Sequence, residues 1–212
     1  MDNGSCPVGP NGYSDCSLTQ ALRERAMERS KPVARSEAWK SVLVRAKKVR
    51  LLLLDVDGVL TDGTIIYTQG GGESKGFNTQ DGFGLRMLQD AGVEVGLITA
   101  RSSEAVSRRA ADLGFAHLYQ GQRDKVAAYE EIVRKSGLTR SQTAYMGDDL
   151  MDLPLLLQVG CSFAPANAVA EVRQRVDYTT ERSGGRGAVR EVCDLILEAR
   201  GELAGIVARY GK

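Results

Sequence analysis

The sequence predicts a doubly wound α/β fold, in which a parallel sheet is covered by helices on both faces. Two observations support this prediction. From residue 50 onward, short apolar runs alternate with segments of helical periodicity, which is the order expected of a chain that alternates strands and helices. The runs are largely apolar instead of apolar only at every second position, as in strands that are buried on both faces.

The elements follow in the order that such a sheet requires. The predicted strands are 51–54, 93–98, 116–119 and 143–146, and the predicted helices are 84–90, 103–113, 125–136 and 150–159. Between the first strand and the first of these helices, residues 64–67 and 74–77 are strand-like and are joined through three consecutive glycines, 70–72. We therefore expect a protruding β-hairpin at this point of the chain.

The first 50 residues differ in composition from the rest of the chain. They carry ten Lys and Arg against five Asp and Glu, and the first dozen are rich in Gly, Pro, Asn and Ser, a composition typical of disorder. Apolar spacings at 18–29 and 36–47 predict two short amphipathic helices on either side of Pro32. We predict a partly disordered or helical N-terminal extension at 1–48, a main domain at 49–200 and a C-terminal tail at 201–212. The basic excess is interpreted as solvated helical surface, with an acidic partner as the alternative.

Composition and charge exclude several classes of function. The 28 Lys and Arg against 27 Asp and Glu leave a net charge of +1, without the basic footprint of a nucleic-acid-binding protein. The longest apolar run has four residues, far short of the roughly 20 that a membrane span needs. Residues 1–13 lack the apolar segment of a secretory signal, so we expect a cytoplasmic protein with no membrane partner. Four scattered cysteines and one histidine, His117, favour neither a disulfide framework nor a zinc site.

Polar clusters follow three of the predicted strands, and a lysine begins the helix before the last of them. The cluster residues are Asp55 and Asp57, then Thr99 and Arg101, then Asp148, Asp149 and Asp152, with Lys125 as the lysine. Ligands of parallel sheets bind beyond the carboxyl ends of the strands, so we expect these side chains to meet at one edge. An isolated Asp-x-Asp pair is common in turns and caps, whereas the ordered set in its structural context predicts one functional site.

The chemistry that suits these groups is phosphoryl transfer. Asp55 and Asp148 supply the hard oxygen ligands that Mg²⁺ prefers, and Asp55 can attack phosphorus to form an aspartyl-phosphate. Asp57 can protonate the leaving oxygen and then activate water. Thr99 and Lys125 can hold the phosphoryl oxygens as negative charge is neutralised. The alternative for Lys125 alone is a surface lysine at a helix start.

These residues resemble the haloacid dehalogenase superfamily of Mg²⁺-dependent phosphatases, and within it the 3-deoxy-D-manno-octulosonate 8-phosphate phosphatases of lipopolysaccharide biosynthesis. The similar stretches are DVDGVLTDG at 55–63, FNTQDGFG at 77–84, HLYQG at 117–121, GDDLMDL at 147–153 and GGRGAVRE at 184–191. The resemblance implies a Rossmann-like fold, a Mg²⁺ cofactor and a homotetramer. Residues 1 to about 40 have no counterpart in this resemblance, and Ala100 stands where the family more often has glycine.

The resemblance also assigns roles to residues. It implies Asp55 as nucleophile, Asp57 as acid/base, and Asp55, the Asp57 backbone carbonyl and Asp148 as metal ligands. The implied substrate contacts are Asp57, Asn78, Thr79, Gln80, Asp81, Gly82, Arg86, Arg101, Arg109 and Lys125. Guanidinium groups suit a substrate with both a phosphate and a carboxylate, although an exposed arginine or ion pair is the simpler interpretation of Arg86 and Arg109. Asp149 and Asp152 are expected to orient Lys125 and metal-bound water, and His117 is expected to be a satisfied structural residue.

The spacing of the motifs leaves no room for a cap domain. Only 43 residues separate Asp55 from Thr99, and 25 separate Thr99 from Lys125, enough for the hairpin, two helices and one strand. We therefore predict a capless enzyme whose site is covered by a neighbouring subunit. Two alternatives stay open, a phosphatase of another sugar-acid phosphate such as a nonulosonate 9-phosphate, and an inactive binding module of the same fold.

Overall fold

The computed structural model describes residues 15–30, 33–70 and 72–211. The chain forms two compact units, Met1–Ser36 and Glu37–Lys212. In the first unit, helix α1 (Asp15–Ser30) includes the predicted helix at 18–29. Three predicted features lie outside the described residues, namely the disorder of the first dozen residues, the break at Pro32 and the central glycine of the hairpin turn.

The second unit is built on a six-stranded parallel sheet, which confirms the predicted fold class. Its strands, with the two hairpin strands in chain order, are β1 (Leu51–Leu54), β2 (Ile66–Tyr67), β3 (Glu73–Ser74), β4 (Glu94–Ile98), β5 (His117–Tyr119), β6 (Thr143–Met146), β7 (Cys161–Ala164) and β8 (Tyr178–Thr179). The strand order in the sheet is β5-β4-β1-β6-β7-β8. Strands β2 and β3 form the separate antiparallel hairpin, which is shorter than predicted. Strands β7 and β8 were not predicted.

Eight helices of this unit pack around the sheet among the described residues. They are α2 (Glu37–Ala46), α3 (Thr79–Asp90), α4 (Glu104–Leu113), α5 (Lys125–Ser136), α6 (Leu153–Leu156), α7 (Ala170–Arg173), α8 (Ala188–Ala199) and α9 (Leu203–Tyr210). Helix α5 has the predicted bounds because Asp124 caps its start and Gly137 ends it in a left-handed conformation. The predicted helix at 150–159 is instead a 3₁₀ turn followed by the short α6. No described helix is long and apolar enough to cross a membrane.

The four leucines of β1 divide between two hydrophobic cores. Leu52 and Leu54 belong to the core on the α2, α3, α4 and α8 side, whereas Leu51 and Leu53 belong to the core beneath α5 and α6. Alternate residues of a strand point to opposite faces, so this continuous apolar run is what a strand covered on both sides requires. Burial of all four side chains fixes the end of β1, where Asp55 follows.

Helix α2 lies in the same compact unit as the sheet. Trp39 and Val42 are buried in the first core, and the Trp39 ring meets Tyr178 edge to face with the centroids 6.0 Å apart. The unit therefore begins at Glu37, before the boundary predicted at residue 49. At the other end, the predicted tail contains α9, whose Ile206 is buried. Within the described residues, no further domain is inserted between β1 and β6, as expected of a capless chain.

Candidate active site

A cleft opens at the carboxyl edge of the sheet, where β4, β1 and β6 lie side by side. Because these strands are parallel, the residues that follow each of them meet at this edge. The cleft is lined by Asp55, Asp57, Gly58, Gly63, Thr99, Ala100, Arg101, Lys125, Asp148, Asp149 and Met151. The structure thus brings together all of the predicted catalytic residues, the predicted metal ligands and Arg101.

A buried lysine organises the floor of the cleft. Lys125 Nζ lies 2.9 Å from Asp55 Oδ1 and 2.6 Å from Asp152 Oδ1, and it donates to the Tyr145 hydroxyl at 3.2 Å. Burial alone would lower the pKa of Lys125, but the charges of Asp55 and Asp152 raise it above its ordinary value. The ammonium therefore stays charged at the carboxyl edge of the sheet, and Lys125 is not a surface lysine.

Asp152 is fully engaged by protein groups. Its Oδ1 accepts from Tyr145 at 2.6 Å as well as from Lys125. Its Oδ2 accepts from the backbone N–H groups of Asp148 and Asp149 at 2.9 and 3.2 Å. These contacts confirm that Asp152 orients Lys125, and they also fix the loop that presents Asp148. The nearby Asp149 caps the following 3₁₀ turn through Leu150 N at 2.7 Å.

Three carboxylates in the floor form a site that suits a divalent cation. Oxygens of Asp55, Asp148 and Asp152 all lie within 4.8 Å of one another. Burial, with the neighbouring carboxylates, raises the pKa of Asp55 to about 6 and that of Asp148 to about 7. Because the Asp152 oxygens are occupied by donors, Asp55 and Asp148 are the two that fit Mg²⁺, which commonly binds one or two protein carboxylates. The Asp57 backbone carbonyl remains a predicted ligand.

Glycine at position 58 leaves room for the Asp148 carboxylate. A Cβ at this position would lie 2.1 Å from Asp148 Oδ2, and the backbone φ is +85°, a conformation that favours glycine. The Gly58 carbonyl accepts from Asn167 Nδ2 at 3.2 Å, and Asn167 Oδ1 accepts from Gly184 N at 2.6 Å. Gly185 N donates to Val59 O at 2.9 Å. The glycine-rich segment 183–187 therefore packs against the loop that carries the two motif aspartates.

Asp57 is held by side chains from the hairpin region and from the loop after β4. Lys75 pairs with Asp57 Oδ1, and Arg101 Nε lies 3.7 Å from Asp57 Oδ2. Glu73 joins the two bases, with its Oε1 3.0 Å from Lys75 Nζ and its Oε2 2.5 Å from Arg101 Nη2. The hydrogen bond from Arg101 keeps the pKa of Glu73 below its usual value. Sequence reasoning missed Glu73 and Lys75, although their spacing of two places both on one face of an extended segment.

Seven predicted substrate contacts lie outside the cleft of this chain. Asn78 caps α3, with its Oδ1 accepting from Gln80 N at 2.7 Å, and buried Asp81 accepts from Arg190 N at 2.7 Å. Arg86 donates to the Asp112 carbonyl at 3.0 Å, and Arg109 donates to the Asn78 carbonyl at 3.3 Å. The other three are Thr79, Gln80 and Gly82. Their substrate contacts stay predictions, because none of these seven residues lines the cleft.

Thr99 and His117 occupy positions that agree with their expected characters. Thr99 is buried at the end of β4, where its N–H donates to Tyr119 O at 2.9 Å and its side chain borders the cleft. His117 lies on β5 with its Nε2 3.0 Å from Glu94 Oε2, and it does not line the cleft. Thr99 thus borders the cleft, whereas His117 is a satisfied structural residue.

Comparison with known proteins places the chain in a family. A profile described as haloacid dehalogenase-like hydrolase matches residues 112–191. The 3-deoxy-D-manno-octulosonate 8-phosphate phosphatase KdsC of Salmonella typhi is 48% identical over 162 residues, which cover 76% of this chain and 86% of that protein. The chain belongs to this phosphatase family. It is therefore a haloacid dehalogenase-like hydrolase and a phosphatase.

Solved structures of the phosphatase family agree with the fold described above. The 3-deoxy-D-manno-octulosonate 8-phosphate phosphatase of Yersinia pestis is 47% identical with a TM-score of 0.77, and the match covers 78% of this chain and 89% of that one. The same phosphatase from Moraxella catarrhalis was solved with a magnesium ion, a phosphate ion and a KDO molecule. It is 43% identical with a TM-score of 0.78, over 80% of this chain and 97% of that one.

Proposed function

We propose that this phosphatase hydrolyses 3-deoxy-D-manno-octulosonate 8-phosphate to 3-deoxy-D-manno-octulosonate and phosphate with Mg²⁺ as cofactor. One observation carries the chemistry, namely that Asp55 lies at the end of β1 with Lys125 Nζ 2.9 Å from it and Asp148 beside it. The names of the relatives support the substrate, and the magnesium, phosphate and KDO bound by the Moraxella catarrhalis enzyme support both substrate and cofactor.

The proposed reaction proceeds through an aspartyl-phosphate. Asp55 attacks phosphorus while Asp57 gives a proton to the departing sugar oxygen, and Asp57 then takes a proton from the water that releases phosphate. Lys125 and Thr99 hold the phosphoryl oxygens. Bound at Asp55 and Asp148, Mg²⁺ would neutralise the charge that otherwise repels an anionic nucleophile from an anionic phosphate.

Arg101 is the proposed contact for the substrate carboxylate. Its side chain is 41% exposed at the rim of the cleft, whereas Lys125 is buried in the floor. A guanidinium there can bind a carboxylate through two parallel hydrogen bonds while the phosphate lies deeper. This arrangement supports a sugar-acid phosphate as substrate instead of a neutral sugar phosphate.

We also propose that subunits associate through the hairpin as a homotetramer. Ile65, Ile66 and Tyr67 are 38%, 52% and 74% exposed, and a two-stranded hairpin with an apolar face gains stability from a partner. Tyr67→Glu should therefore dissociate the oligomer, with a smaller mass by light scattering. A wild-type chain that is monomeric at assay concentration yet fully active would contradict the prediction that a neighbouring subunit covers the active site.

The function is tested with purified enzyme, Mg²⁺ and a panel of octulosonate 8-phosphate, a nonulosonate 9-phosphate and an aryl phosphate. The octulosonate ester should give the highest kcat/KM, and preference for the nonulosonate ester would contradict the proposed substrate.

Asp55→Asn should lower kcat by more than about 10²-fold, as expected for a lost covalent nucleophile. Mass spectrometry of rapidly quenched wild-type enzyme should find phosphate on Asp55, and near-normal turnover by Asp55→Asn would exclude the covalent route. Asp90→Asn, an exposed aspartate at the end of α3, is the control.

A further inference from the structure

A ring of four charged side chains joins the hairpin region to the cleft. Lys75, directly after β3, pairs with Asp57 and with Glu73. Glu73 accepts a hydrogen bond from Arg101, whose Nε faces Asp57. Each charge in the ring therefore has a charge of opposite sign on either side. The ring spans the acid/base aspartate, the rim arginine and a hairpin strand that the proposed mechanism does not otherwise use.

Burial distinguishes Lys75 from an ordinary surface lysine. Its side chain is 1% exposed, whereas Lys135, which pairs with Glu131 at 2.5 Å on α5, is 59% exposed. A buried ammonium is stable only when opposite charges contact it, and Asp57 and Glu73 are the carboxylates that do so. The ion pair constrains both partners, because the fixed ammonium also restricts the Asp57 carboxylate.

A restrained carboxylate matters in this enzyme because, among the residues that the structure describes, no cap domain covers the cleft. The Asp57 side chain is only 20% exposed at the mouth of the cleft, and it must point at the leaving oxygen to donate its proton. Among the described contacts of the Asp57 carboxylate, Lys75 is the direct partner and Arg101 is the more distant one. The orienting contact to Asp57 therefore comes from the hairpin region and not from a cap domain.

We propose that Lys75 is a positioning residue of this phosphatase, which aims the Asp57 carboxylate at the leaving oxygen through the Lys75–Asp57 ion pair. The proposal rests on the proposed acid/base function of Asp57. It assigns to the hairpin a role within its own chain, in addition to any role between subunits. Glu73 supports this role by holding Lys75 from the other side, 3.0 Å from its Nζ.

The test compares two leaving groups. A sugar alkoxide needs a proton as it departs, whereas the phenolate of p-nitrophenyl phosphate leaves without one. Lys75→Met should lower kcat/KM for the sugar-acid phosphate about 10- to 100-fold, the range for loss of a contact to a charged group. This constant is used because it reports the steps up to departure of the leaving group, whereas the later attack of water, which also uses Asp57, is common to both substrates. The same variant should lower kcat/KM for the aryl phosphate less than about threefold, because that leaving group does not depend on general-acid assistance. Lys75→Arg should restore much of the loss, and Lys135→Met is the matched control.

Asp57→Asn calibrates the test, since it should show the same preference for the aryl substrate. If Lys75 acts only through Asp57, adding Lys75→Met to Asp57→Asn should cause no further loss. Equal losses on both substrates, additive losses in the double variant, or normal activity of Lys75→Met would each overturn the proposal. Urea unfolding of each variant separates a folding defect from a positioning defect. If Asp57→Asn shows no preference for the aryl phosphate, the proposed acid/base function of Asp57 is wrong. If the wild-type enzyme fails to hydrolyse only the octulosonate ester, only the proposed substrate is wrong.

Discussion

Replacement of Gly184 by alanine should impair both catalysis and stability, because its Cβ would enter the loop that carries Asp57. The new atom would lie 1.8 Å from the Gly58 carbonyl oxygen and 3.0 Å from that of Thr61. Restoring ordinary contact requires about 1.6 Å of backbone movement. Gly58 is also in close contact with Asp148, whose carboxylate lies 2.1 Å from the position that a Cβ of residue 58 would take.

The magnitude follows from that displacement. Overpacking of a tight contact costs about 1–3 kcal/mol of unfolding free energy, and a misplacement of about 1 Å at a catalytic group lowers kcat about 10²-fold. The assays are kcat for the sugar-acid phosphate and the urea midpoint of the same purified sample. Gly205→Ala is the control, since a Cβ there meets no atom of the described residues within 4 Å and alanine in a helix should stabilise by about 0.5–1 kcal/mol. Wild-type values of both kcat and midpoint for Gly184→Ala would refute the packing argument.

Three further predictions concern the substrate contact, the titration of the floor and the position of α2. Arg101→Ala should lower kcat/KM for the sugar-acid phosphate about 10- to 150-fold and for an aryl phosphate much less; equal losses would mean that the arginine does not bind the carboxylate. The raised pKa values of Asp55 and Asp148 mean that the native state binds more protons than the unfolded state between about pH 4 and pH 7. Urea unfolding of metal-free protein should therefore show stability falling as pH rises through this window, and a profile unchanged in Asp148→Asn would contradict this. Trp39→Ala should cost about 3–5 kcal/mol, whereas an unaltered melting temperature would place α2 outside the core.

The sequence predicts the centre of this fold better than its margins. Strands β1 and β6 have their predicted bounds, because a largely apolar run in a central parallel strand is buried on both faces. Strands β7 and β8 escaped prediction, since β7 mixes small polar and apolar residues and β8 has only two residues. The helix predicted at 150–159 is short because Asp149 starts a 3₁₀ turn and Pro154 restarts the helix after it.

The residues of the candidate site also differ in how well the sequence predicts them. Asp55, Thr99, Lys125 and Asp148 could be predicted because the geometry of a parallel sheet brings strand ends together, whatever the loops do. Lys75 could not be predicted, because its contact with Asp57 depends on how a short hairpin folds back over the cleft. The segment around Asn78 and Asp81 was assigned to substrate by resemblance alone. In this chain its side chains cap helices, and its substrate contacts remain predictions.

The hydrogen bonds of Asn167 with Gly58 and Gly184 have a consequence for folding during synthesis. Ribosomes deliver the chain from its N-terminus at about 5–20 residues per second, so the loop with Asp55 and Asp57 emerges early. Its supports come late, because the Asn167 contact to Gly58 spans 109 residues of sequence and Gly184 follows later still. Closing contacts of such long range is slow relative to local helix formation. A nascent chain that already contains Asp55 and Asp57 therefore completes this site only after its last quarter has docked.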